Sequence, residues 1–224
     1  MLGIGALASL GLLLCRSPAA LASAAPSKHA STASASRWWR LDCRPPRTGE
    51  TEPAPACVFH VLLRGPIDRS RLFLIQRAIQ RGDEATRALG RDATLRVDVD
   101  SRGGEIFAGM EIGRLLRRER ARFAVGAGAS CQSACVFALM GAVETSVGDG
   151  ARIGIHRPSL EAGRDHLLES MFASLAAYVD EMHVSRAILD DMFNTPSSSM
   201  RWLSGADLAR YGITVERETT SRRP

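Results

Sequence analysis

The chain has 224 residues, 45% hydrophobic and 24% charged, which is enough to bury one substantial core with a small appendage. Its net charge of +5 and pI of about 9.3 come almost wholly from arginine. The densest basic run, Arg114 to Arg122, falls on an expected helix and its end with no aromatic residue interleaved, so it reads as a solvated helix face and not as a nucleic-acid surface.

At the N-terminus, the apolar run Leu2 to Leu14 and the small-x-small site Ala20-Leu21-Ala22 read as an export signal over residues 1–25. The run is shorter than the roughly 20 residues a membrane span needs. No basic residue precedes it and Arg16 follows it, so an uncleaved membrane anchor, or a different start site, is the alternative. Residues 26–56 are rich in Ala, Ser, Pro and Thr and are expected to be a disordered linker. Trp38-Trp39 interrupts it, either docking on the domain or touching a membrane surface. Export implies a periplasmic or secreted protein, where disulfides persist. Setting Cys15 aside with the signal leaves Cys43, Cys57, Cys131 and Cys135, and four cysteines allow three pairings. A Cys43–Cys57 bond would staple the arm to the domain. Cys131 and Cys135 either face each other on one helical turn or are small buried hydrophobes. No other Cys or His stands at ligand spacing, so no metal is expected. No phosphate-loop or dinucleotide pattern occurs either, and no cofactor is expected.

A domain is expected over residues 57–217, with 218–224 as a tail. Val58 to Leu63 is a short apolar strand stopped by Gly65-Pro66. Asp68 or Ser70 can cap a helix to about Leu89, with Leu72, Ile75, Ala78 and Ile79 at helical spacing. Leu95, Val97 and Val99 alternate with Arg96, Asp98 and Asp100, the pattern of a strand with one buried face. Gly103-Gly104 then opens a helix whose stripe is Ile106, Met110, Gly113 and Leu116, with Gly109 and Gly113 allowing close approach to a neighbour. A strand at Arg122 to Val125, a helix from Ser133 to about Met140, and strands near Glu144 to Val147 and Arg152 to Ile155 follow. Helical sequence covers Asp165 to Asn194 with a break near His183 to Ser185. Ser204 caps a last short helix, Gly212 ends it, and Ile213 to Val215 is a final strand. Such alternation with short links predicts an α/β fold with largely parallel sheets.

Three segments of this pattern carry groups that do chemistry. A serine hydroxyl needs a base within hydrogen-bond reach, and the oxyanion formed by its attack on a carbonyl needs preorganised N–H donors. Ser133 lies at a helix start, which directs the Ala134 N–H outward. Gly103 and Gly104 can bring backbone amides close to a substrate. His156 ends a strand and is placed to act as the base.

The series Ser-x-Gly-Gly at 101–104, then Ser133-Ala134 at a helix start about 30 residues on, then Gly154-Ile155-His156-Arg157-Pro158 resembles the Clp protease proteolytic subunit and its relatives. These include signal peptide peptidase A and exported Clp-like proteins, within the crotonase-like superfold. Val58 to Ile67 is similar to that family's first strand, and Trp202-Leu203-Ser204-Gly205-Ala206-Asp207-Leu208-Ala209-Arg210-Tyr211-Gly212-Ile213 to its closing segment. The resemblance runs from about Cys57 to Glu216. It implies a fold of repeated strand-strand-helix units and an exported serine peptidase working through an acyl-enzyme. Ser133 would be nucleophile and His156 general base, with Gly103, Gly104 and Ala134 forming the oxyanion hole. It further implies a peptide or protein substrate and a homo-oligomer, to which the helical segment after the histidine would contribute.

The chain departs from the family at several places. The family's acidic residue, two positions before the Phe-Leu-Ser segment, is here Met200, preceded by Ser198 and Ser199. Asp190, Asp191 and Asp207 are the candidates to replace it, or a serine orients the ring. The family's Ser-Pro-Gly-Gly has Arg102 in place of Pro. The single lysine, Lys28, lies in the linker, which excludes a lysine base. Two other readings stand beside the peptidase: a catalytically weak or inactive relative that binds peptides or partners in the same groove, and acyl-CoA chemistry as in crotonases.

Overall fold

In the computed structural model, the structure describes residues 38–43, 57–90, 92–159 and 167–217. The expected export signal at 1–25 and tail at 218–224 lie outside the described residues, as does most of the expected linker.

Alternating apolar residues in Cys57–Arg64 (β2) and Ala93–Asp100 (β3) place Phe59, Val61, Leu63, Val97 and Val99 in the core. These strands pair in parallel, and Arg122–Val125 (β4), Glu144–Val147 (β6) and Val215–Arg217 (β9) extend the sheet in parallel. The edge strand differs from the linker expected there. Trp39–Cys43 (β1) pairs antiparallel to β2, and the Cys43–Cys57 disulfide closes the far end of that pair. Trp39 packs on Phe59 at 5.4 Å between ring centroids, while the Arg71 guanidinium lies 4.5 Å over the Trp38 ring. The tryptophan pair thus docks on the domain. The full order is β1-β2-β3-β4-β6-β9.

A second, three-stranded sheet carries the candidate chemistry. Ser130–Gln132 (β5) pairs in parallel with Arg152–Ile155 (β7), and Arg201–Trp202 (β8) pairs antiparallel to β7. Helices link the strands. Arg69–Leu89 (α1) is capped by the Asp68 side chain, which accepts the Arg71 N–H at 2.7 Å, and stops at Gly90 in the left-handed conformation. Ile106–Arg118 (α2) buries its apolar stripe against Ala134–Met140 (α3), every residue of which is buried. A Cβ on Gly113 would come within 2.6 Å of the Phe137 carbonyl oxygen, so only glycine permits this approach. Leu168–Glu181 (α4), Ala187–Phe193 (α5) and Gly205–Arg210 (α6) complete the chain, with the break between α4 and α5 at the positive-φ residue His183. Tyr178 of α4 is fully buried and donates its hydroxyl to the Phe137 carbonyl, and burial pushes its pKa well up.

Candidate active site

Ser133 stands between β5 and α3 with φ 52° and ψ −121°, a backbone conformation non-glycine residues rarely adopt. Its side chain makes no capping bond to the helix, so the hydroxyl is not consumed by the ordinary role of a serine at a helix start. The Ser133 N–H donates to the Gly154 carbonyl at 2.9 Å, and the register pairs Gln132 with Gly154. The strand that ends in His156 therefore runs directly alongside the serine turn.

The glycine pair closes in from the other side. The Gln132 N–H donates to the Ser101 carbonyl at 3.0 Å and the Ser101 N–H to the Ser130 carbonyl at 2.8 Å, tying the end of β3 to β5. A Cβ on Gly103 would lie 2.8 Å from Ser133 Cβ and 3.0 Å from the Ala134 nitrogen, so its backbone rests against the serine turn. The Gly103 N–H donates to Ser101 Oγ at 3.1 Å, and that hydroxyl in turn donates to the Gly65 carbonyl at 2.6 Å. Gly104 is exposed, and its N–H has no acceptor among the described residues. Ile67 holds this loop, donating to the Gly103 carbonyl at 2.9 Å and accepting the Glu105 N–H at 2.8 Å. Ala134 is the first residue of α3, where helix geometry leaves the N–H without an intrahelical partner.

His156 is half-buried, and its Nδ1 lies 2.8 Å from the Arg157 carbonyl oxygen. A carbonyl only accepts, so Nδ1 is the donor and Nε2 keeps its lone pair. The Arg157 N–H in turn donates to the Thr195 carbonyl at 2.8 Å.

None of the three carboxylates considered as a third member bonds to His156 among the described residues. Asp191 accepts from Tyr211 Oη and from Arg210, and lies 3.4 Å from Arg201. Burial pushes its pKa up, but the Tyr211 and Arg210 hydrogen bonds outweigh that and hold the carboxyl low. Asp207 completes a capping box with Ser204 and accepts from Arg201 at 3.0 Å. The Ser204 hydroxyl and backbone N–H hold it far below the usual carboxylate range. Asp190 is exposed, and its backbone carbonyl accepts from Asn194 at 3.0 Å. Continuing the β7–β8 register, in which Gly154 faces Trp202 and Ile155 faces Arg201, sets Met200 opposite His156. The Met200 thioether lies over Gly154, where an added Cβ would come 2.7 Å from the sulfur.

Cys131 and Cys135 are disulfide-bonded across the serine turn, and both are fully buried. Sequence spacing left this bond and simple burial as alternatives; the structure has both at once. No group of residues suited to holding a metal ion occurs among the described residues.

No protein-family model matches the chain. No curated protein matches it. Solved structures do. The 1510-N membrane-bound stomatin-specific protease, in a mutant form, is 19% identical with a TM-score of 0.54, covering 70% of this chain and 78% of that one. A second mutant of that protease, in complex with a substrate peptide, gives 19% identity and a TM-score of 0.55 over 70% of this chain and 74% of the other. ClpP1 from Listeria monocytogenes is 17% identical with a TM-score of 0.52, covering 71% of this chain and 92% of that chain. At these identities the likeness is one of fold, and the fold is Clp protease-like: mixed α/β with a mainly parallel sheet.

Proposed function

We propose that this chain is an exported serine peptidase. Ser133 attacks a peptide carbonyl, His156 Nε2 takes the hydroxyl proton, and an acyl-enzyme forms with release of the amine. A water activated by the same imidazole then hydrolyses it. The oxyanion is held by the Ala134 N–H and the Gly103-Gly104 amides, of which that of Gly104 is the freer donor. The observation that carries this reading is the Ser133 turn, a strained serine with an uncapped hydroxyl, wedged between a glycine loop and the strand leading to His156. A peptide substrate fits the complex formed by the stomatin-specific protease. The two disulfides favour an oxidising compartment, as export requires. Self-association of several copies belongs to the same reading.

That no carboxylate among the described residues bonds to His156 favours one second reading: a relative that binds peptides in this groove without cleaving them. A fluorophosphonate probe separates the two, because it labels only an activated serine. Labelling of the wild-type protein that disappears in Ser133→Ala, with an unchanged circular-dichroism spectrum, is the expected result. Labelling that persists in Ser133→Ala would move the nucleophile elsewhere. An unlabelled wild type that still binds peptides would leave the binding protein standing.

A further inference from the structure

The conformation of Ser133 is not one a serine keeps unaided; such backbone persists only where its surroundings over-determine it. No capping interaction of helix α3 supplies this. The helix has seven residues, no side-chain cap and no acidic residue in its first turn.

The Cys131–Cys135 bond spans the turn symmetrically, from two residues before the serine to two after it. Its first end is fixed on both sides, since Cys131 pairs with Ile153 of β7 and forms a bridge to Ser101 at the end of β3. Its second end lies in the first turn of α3, beside Ala134. A single covalent link thus joins the strand that borders the glycine loop to the helix that presents the Ala134 N–H.

Resting on the hydrolase reading above, we propose that the Cys131–Cys135 disulfide is a positioning device for the reaction. It holds Ser133 and the Ala134 N–H in place against Gly103 and the His156 strand, while the Cys43–Cys57 disulfide serves stability alone. The sizes of the two rings support this division. A cross-link restrains the unfolded chain more as the enclosed loop grows. Sequence separation is 14 for Cys43–Cys57 and 4 for Cys131–Cys135. The short ring constrains the unfolded chain least, so its effect falls on the native turn. Because both sulfurs are buried, the bond is shut away from reductants in the folded protein and acts as a permanent clamp.

The test compares the exported chain with C131A/C135A and C43A/C57A. Two quantities are measured: the maximal rate and half-saturation of fluorophosphonate labelling, and hydrogen exchange at the Ser133 and Val136 amides, which donate to Gly154 and Ser133. In C131A/C135A the maximal labelling rate should fall about 10- to 100-fold, as a misplacement of about 1 Å does, with half-saturation little changed. Exchange at the two amides should rise at least about tenfold relative to Phe123 in β4, the protection that a cooperative core strand keeps. C43A/C57A should melt earlier and label at the wild-type rate. If C131A/C135A does not fold, C131A/C135V restores the lost volume and takes its place. Unchanged labelling and exchange would overturn the proposal. A wild type that is never labelled would instead end the hydrolase reading, and the exchange data would still decide whether the bond clamps the turn.

Discussion

His156 takes its orientation from a neighbour's backbone. The Arg157 carbonyl sets the tautomer by accepting from Nδ1, which leaves Nε2 as the acceptor a general base requires. Orientation is thus supplied, but a neutral carbonyl does less than a carboxylate to stabilise the imidazolium that the proposed mechanism would form. Extending the β7–β8 register by one pair beyond Ile155 and Arg201 would set Met200, whose thioether lies over Gly154, opposite His156. Met200→Asp should therefore raise the rate of fluorophosphonate labelling, by about tenfold, since charge is added where the tautomer is already correct. The check is the labelling rate as a function of pH for the two proteins. A Met200→Asp protein that folds and labels no faster would show that the carbonyl is sufficient, or that the residue at 200 does not reach the ring.

Between elements, the site is held by glycine-mediated contacts. A Cβ on Gly109 would run into the Ala134 carbonyl and lie 3.5 Å from Phe137 Cβ, so Gly109→Ala must push α2 away from Ala134, the residue proposed to offer the oxyanion N–H. A Cβ on Gly82 would sit 2.7 Å from the Phe59 ring, a contact between α1 and β2, neither of which carries the serine turn. Both substitutions overpack, at a cost of about 1–3 kcal/mol each. Gly109→Ala should also lower probe labelling several-fold, whereas Gly82→Ala should lower the melting temperature and leave labelling intact. Equal labelling in both would detach the α2–α3 contact from function. The longer elements α1, α2 and β3 were readable because each carries several turns or alternations of apolar pattern; β4, β6 and β7 also fall where they were expected, though four residues carry barely one alternation. The short strands were not. β5 has three residues and β8 two, too few for a period to register, and they exist because they pair with β7. β1 is hidden by the Ala- and Pro-rich composition around it, although Trp39 and Leu41 are the half-buried alternate residues of a strand.

Across the whole molecule, the expectation that Gly-Gly, serine and histidine meet came from the family resemblance of their order and spacing, and backbone bonds do tie the ends of β3 and β5 together and set the Ser133 turn against β7. The fate of the carboxylates was not readable, since it depends on which arginines reach them: Asp191 and Asp207 are drawn to Arg201, Arg210 and Tyr211, and Asp98 to His60 and Arg96. These pairings have a consequence for acid stability. Burial pushes the Asp98 carboxyl up, but hydrogen bonds from His60 at 2.8 Å and Arg96 at 2.8 Å outweigh it and hold the carboxyl low. Asp191 and Asp207 are likewise held low. A carboxyl whose pKa is lower folded than unfolded stabilises the protein fully above the unfolded value of about 4, and loses that contribution as pH falls through the folded value. The melting temperature should therefore be insensitive to these groups from pH 5 upward and decline below about pH 4. Asp207→Asn removes one of them. It should melt lower than wild type at pH 7, because the capping box and the Arg201 bond are weakened, and the gap between the two curves should narrow steadily as pH falls below about 4. If they stay parallel down to pH 2, the Asp207 contribution is not electrostatic and the α6 cap holds through packing alone.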